Sequence, residues 1–187
     1  MVPKNQEYVL REGLDKQLKF GRTIYIPYNK LLVISGDNVD DKHKSGPVND
    51  TFVFDLSSQT VERMPDIGVA RTSFAAHYDF GDRYVYIIGG SNNQDRMVTD
   101  CEKFDVLNQK WIKMPSLNCE RGNPGTFISA DRRYLYAFQG FRNKSMSDGP
   151  FGFKQSEALN TIERLDLWNE DLGWEMHEIS QDGSEMS

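Results

Sequence analysis

The 187-residue chain is 38% hydrophobic, 12% aromatic and 27% charged, the make-up of a globular protein with enough apolar material for a core. A formal net charge of -6 and a pI near 5.1 argue against an electrostatically driven nucleic-acid binder, which needs a basic face. No run approaches the ~18 consecutive apolar residues of a membrane span, and Met1 to Lys19 alternates charged with apolar residues where a signal peptide would be apolar, so a cytoplasmic or nuclear address is expected.

In chain order, an N-terminal segment (1–20) precedes three copies of one pattern, and a polar tail (181–187) follows them. Glu7-Tyr8-Val9-Leu10-Arg11 reads as a lone strand belonging to a unit ahead of the first. The first copy (21–68) has a β-like stretch from Thr23 to Tyr28, the apolar run Leu31-Leu32-Val33-Ile34-Ser35-Gly36, then Phe52-Val53-Phe54-Asp55 and Val61-Glu62-Arg63-Met64-Pro65. The second (69–118) repeats this as Thr72 to Tyr78, Tyr84-Val85-Tyr86-Ile87-Ile88-Gly89-Gly90, Glu102-Lys103-Phe104-Asp105 and Trp111-Ile112-Lys113-Met114-Pro115. The third (119–180) has Thr126 to Ala130, Tyr134-Leu135-Tyr136-Ala137-Phe138-Gln139-Gly140, Glu163-Arg164-Leu165-Asp166 and Trp174 to Ile179, without the Met-Pro pair.

Closing glycines Gly36, Gly90 and Gly140 are 54 and then 50 residues apart, and in the first two copies Asp to Pro is 10 and Pro to Arg is 6, giving Arg71 and Arg121. A glycine-ended strand that is apolar at consecutive positions is buried on both faces. Asp55, Asp105 and Asp166 precede turns, where a short carboxylate accepts backbone N–H bonds. Trp111 and Trp174 offer wide apolar surfaces for packing between units.

These residues carry a resemblance. The Gly89-Gly90 doublet, Phe104-Asp105, Trp111 and Met114-Pro115 ahead of Arg121 make the second copy similar to the kelch repeat, whose ~50-residue unit is one four-stranded β-propeller blade. Ser35-Gly36 and Val61 depart from that pattern in the first copy, and Gln139-Gly140 in the third. The resemblance covers about residues 20 to 180 and implies an all-β chain of three kelch-type blades, each of four antiparallel strands. It further implies a protein- or peptide-binding scaffold, since kelch proteins include ubiquitin-ligase substrate receptors and cytoskeletal or signalling scaffolds. The ~20 residues ahead of the first blade leave no room for a BTB-like helical domain, so a ligase role is not assigned.

Propellers typically close with ~4 to 8 blades, so three would leave apolar faces to be covered. Either the chain is a segment of a six- or seven-bladed protein, which is the preferred reading, or two copies form a homodimer that completes one ring.

No catalytic, cofactor or metal residues are expected. His43, His77 and His177 are scattered over different copies, Asp37 to Asp41 lacks the glycine and glutamate of a calcium loop, and Cys101 and Cys119 read as free thiols. Some kelch-like propellers are enzymes, the copper-dependent galactose oxidases and sialic-acid mutarotases among them; a fragment of such a sugar- or small-molecule enzyme is the alternative reading. Two candidate partner sites stand out. Arg22, Arg71 and Arg121, each starting an innermost strand, would either ring the channel to grip an acidic peptide or tie blades together through internal carboxylates or carbonyls. The insertion from Phe141 to Leu159 carries Phe141, Arg142, Phe151, Phe153 and Lys154, aromatic and cationic types enriched at interfaces, and either contacts a partner or packs back on its blade.

Overall fold

The computed structural model describes residues 18–19, 21–38, 46–79, 83–92, 96–144 and 155–179. The first blade contains β1 (Leu18–Lys19), β2 (Arg22–Ile26), β3 (Lys30–Asn38), β4 (Gly46–Asp55) and β5 (Thr60–Met64). β2, β3, β4 and β5 pair antiparallel in that order, and β1 lies against the far end of β3. The second blade is β6 (Ala75–Tyr78), β7 (Tyr84–Ile88), β8 (Cys101–Asp105) and β9 (Lys110–Lys113), again a simple antiparallel meander. In the third, β10 (Gly125–Ile128) and β11 (Tyr134–Phe138) are followed by an inserted hairpin, β12 (Phe141–Lys144) and β13 (Gln155–Ala158). β14 (Thr161–Asp166) and β15 (Trp174–Glu178) then complete the sheet.

The described residues are therefore all-β and form three four-stranded blades. Innermost strands are shorter than the sequence suggests, for a backbone reason. Tyr28 and Asn29 take φ of 66° and 58°, the left-handed pair of a tight hairpin turn, which ends β2 at Ile26. Ser73, at φ of 51°, interrupts the extended run just before β6, which starts at Ala75 and not at Thr72, while β10 begins one residue ahead of Thr126 and stops at Ile128.

Alternation along the second strand of each blade builds two cores. Leu32 and Ile34 of β3 meet Val85 and Ile87 of β7, together with Val53, Phe74 and Phe104. Tyr86 and Ile88, on the opposite face of β7, meet Leu135, Ala137 and Leu165 of the third blade. Both expected tryptophans lie at these junctions. The Trp111 indole N–H donates across the first to Thr51 Oγ1 at 3.2 Å, and that of Trp174 donates across the second to the Pro115 carbonyl at 2.9 Å. At Gly90 (φ 111°) a Cβ would lie 2.6 Å from the Thr72 carbonyl oxygen, so the close approach of the strand end to the blade's own first segment requires glycine.

Each repeated aspartate holds its turn as expected. Asp55 accepts from the Ser57 and Ser58 N–H groups, Asp105 from those of Leu107 and Asn108, and Asp166 from that of Trp168. Arg83 and Arg133 add ion pairs to Asp105 and Asp166.

Candidate functional site

The linkers between blades and the connections between second and third strands share one rim. Its arginines divide into two groups. Arg71 and Arg121 have no exposed surface. The Arg71 guanidinium pairs with Glu102 and donates to the carbonyls of Asp100 (2.5 Å) and Gly89 (3.3 Å). Arg121 donates to Glu163 Oε1 from Nε (3.2 Å) and Nη2 (3.1 Å), to the Gln139 carbonyl (2.8 Å) and to Thr161 Oγ1 (2.6 Å).

The same carboxylates reach back to the linker from the preceding blade. Glu102 Oε2 accepts the Gly68 N–H at 2.8 Å, and Glu163 Oε2 that of Asn118 at 2.6 Å. From the other side, the Arg71 carbonyl accepts the Ser35 hydroxyl at 2.6 Å and the Arg121 carbonyl the Gly90 N–H at 2.8 Å. Each arginine thus sits in a clamp spanning two blades. A guanidinium buried and committed in this way cannot make a bidentate grip on an incoming peptide, which corrects the channel-ring reading for Arg71 and Arg121. Burial pulls the Arg71 pKa down, with the Glu102 charge opposing that shift.

Arg22 differs. It is half-buried, donates to the neighbouring Gly21 carbonyl at 3.1 Å, and lies over the Phe74 ring at 5.8 Å. Three residues ahead of the repeated aspartate, where the other blades have Glu102 and Glu163, this blade has Phe52. Those two glutamates are site residues the sequence reading passed over. Their constant offset from Asp105 and Asp166 is the signal that could have found them.

The insertion expected as a loop from Phe141 to Leu159 has a hairpin base, with Phe141 opposite Ala158 and Arg142 opposite Glu157. Phe141 packs back. Its N–H and carbonyl both bond to Gly122, at 3.0 and 2.8 Å, and its ring approaches so closely that a Cβ on Gly122 would meet it at 3.1 Å. Arg142 points the other way, half-exposed, with Nε donating to Glu157 Oε2 at 2.9 Å, an ion pair that raises the arginine pKa. Phe151, Phe153 and Lys154 lie outside the described residues.

Arg142, Glu157, Leu159, Met176 and Glu178 line a groove of about 290 Å³ between this hairpin and the outer strand, and Cys119 also borders it. Met176 is 50% exposed there, an apolar contact flanked by charges of both signs. Burial raises the Cys119 thiol and pushes Cys101 up to about 12, so neither is a thiolate nucleophile at neutral pH. Among the described residues, no three His, Cys, Asp or Glu side chains converge as metal ligands.

A family profile for the kelch motif matches residues 80–118, the last three strands of the second blade. The chain is 26% identical over 145 residues to the F-box/kelch-repeat protein SKIP20 of Arabidopsis thaliana, covering 73% of this chain and 34% of that protein. It is 28% identical over 97 residues to a RING finger domain and kelch repeat-containing protein of Dictyostelium discoideum, covering 51% of this chain and 9% of that one. Among solved structures, that of YjhT superposes with a TM-score of 0.68 at 14% identity, over 89% of this chain and 57% of the other, a likeness of fold alone. The chain spans about a third of one of these two curated relatives and about a tenth of the other.

Proposed function

We propose that this chain, a β-propeller of kelch repeats, works as a non-catalytic interaction module that holds a protein or peptide on the rim formed by the third blade's hairpin. The observation that carries this is the groove beside Arg142, where a half-exposed guanidinium, an exposed methionine and two glutamates converge, with no nucleophile and general base paired for chemistry among the described residues. The residue mix suits a peptide that lays an apolar side chain on Met176 and a carboxylate near Arg142. Its two unpaired cysteines support a reducing compartment, the cytosol or nucleus. Kelch repeats in proteins named for F-box and RING domains support an adaptor-like use of the fold.

The test is to capture partners from a cell extract with the wild-type chain and with Arg142→Ala/Met176→Ala, and to compare the bound proteins by mass spectrometry. Both side chains are at the surface, so the folded fraction stays unchanged and specific partners drop at least several-fold. Identical bound sets would remove this groove as the interface.

A further inference from the structure

The two outward faces of the three-blade array are matched to each other. Junctions within the chain follow one rule: alternate residues of a blade's second strand face forward and pack on the intervening residues of the next blade's second strand. At the second junction the forward face is Tyr84, Tyr86 and Ile88, and it is covered by Leu135 and Ala137.

The forward face of the third blade repeats that surface almost residue for residue as Tyr134, Tyr136 and Phe138. Tyr84 and Tyr86 meet edge-on at 6.3 Å and 61°, and Tyr134 and Tyr136 meet at 6.4 Å and 58°. Arg83 lies over Tyr84 at 5.4 Å, and Arg133 over Tyr134 at 4.9 Å. Lys103 approaches the first of these rings at 4.8 Å, and Arg164 the second at 4.7 Å. The repeated face is thus pre-arranged in the shape that a following blade covers, yet Phe127, stacked on Tyr136 at 4.6 Å, is 44% exposed.

What covers such a face is a backward face with small aliphatic residues on its second strand. The first blade carries one. Leu31 and Val33 of β3 stand where Leu135 and Ala137 stand in the third blade, and cross-strand pairing puts Tyr25, Phe54 and Val61 on the same side, beside Phe52, already buried, and Arg63 opposite it. Position 52, a clamp glutamate in the other blades, is apolar here, so this face presents no carboxylate to bury at that position.

We infer that a second copy of this chain supplies the cover: the third blade's forward face packs on the partner copy's first blade, and the reciprocal contact closes a two-fold, six-bladed ring. Six lies within the usual range of ~4 to 8 blades, and one chain spans 57% of the solved propeller it superposes on. Both junctions would repeat the tyrosine-on-aliphatic contact that already joins the second and third blades.

Light scattering on a sizing column, over a dilution series of the full chain, is expected to give twice the 21.5 kDa chain mass. Phe127→Glu and, separately, Val33→Glu are each expected to halve that mass while keeping the wild-type circular dichroism spectrum. Mixing the two variants restores a two-chain species, because each supplies the face the other lacks. A wild-type monomer or open-ended polymer overturns the inference. So does a Val33→Glu protein that stays dimeric while Phe127→Glu dissociates, since that pattern marks a symmetric contact of third blade on third blade.

Discussion

Arg22 and Arg121 occupy the same place in two blades and live in different environments. Arg121 is sealed between blades, its donors divided among Glu163, Thr161 and Gln139, whereas Arg22, among the described residues, has one backbone acceptor and the face of an aromatic ring. The difference traces to one position on the third strand of the blade, Glu163 in one case and Phe52 in the other. A repeated residue is thus a repeated geometry, and its role is set by whether the neighbouring repeat position supplies a counter-charge. Where the clamp exists, the glutamate binds an arginine of its own blade and an N–H of the preceding linker together, so a single side chain fixes the angle between two blades.

The largest expected effect breaks that contrast directly. Glu102→Ala leaves the buried Arg71 guanidinium without its counter-charge and is expected to cost about 3 to 5 kcal/mol in urea unfolding. Arg22→Ala, which removes a contact over Phe74 and a partly exposed charge, costs at most about 1 kcal/mol. Comparable losses for the two variants would erase the distinction between clamped and unclamped blades.

A smaller effect sharpens the comparison on the opposite rim, where Arg133 and Asp166 pair at 2.9 Å. Hydrogen bonds from Arg133 and the Trp168 N–H hold the Asp166 carboxyl at about 2, below the ~3.9 of an unfolded aspartate, and Asp105 is depressed in the same way by Arg83. Because the folded pKa is the lower one, the stabilisation is complete at neutral pH and disappears as the pH falls from about 4 toward 2. Urea midpoints measured over that range should fall for wild type and change less for Asp166→Asn. Parallel pH profiles for the two proteins would mean that Asp166 does not hold its turn through ionisation.

Much of this fold is written openly in the chain. Gly90 and Asp105 recur in every blade, and Trp111 in the last two, because each meets a structural demand: a close backbone approach, a carboxylate-held turn and an inter-blade filler. Other features depend on information that a repeat does not carry. The recurrence of Arg71 and Arg121 shows that a site is shared but not whether the side chain points to the channel or into the junction; burial decides that, and the deciding partners, Glu102 and Glu163, lie 31 and 42 residues away. The shortening of β2 and β6 depends on left-handed φ at Tyr28 and Ser73, residues that are not glycine and give no composition signal. The β12–β13 hairpin was hidden because Phe-Arg-Asn-Lys and Gln-Ser-Glu-Ala lack the alternation of a half-buried strand, while the groove needs Met176, which comes from an outer strand far along the chain.

The most direct test of the inter-blade clamp is a double-mutant cycle on Arg121 and Glu163, read by urea unfolding. Arg121→Met and Glu163→Met should each cost about 3 to 5 kcal/mol, because each strands a charge between blades, while the double variant costs far less than their sum. Strictly additive losses would contradict the clamp and return Arg121 to the pool of residues free to meet a partner.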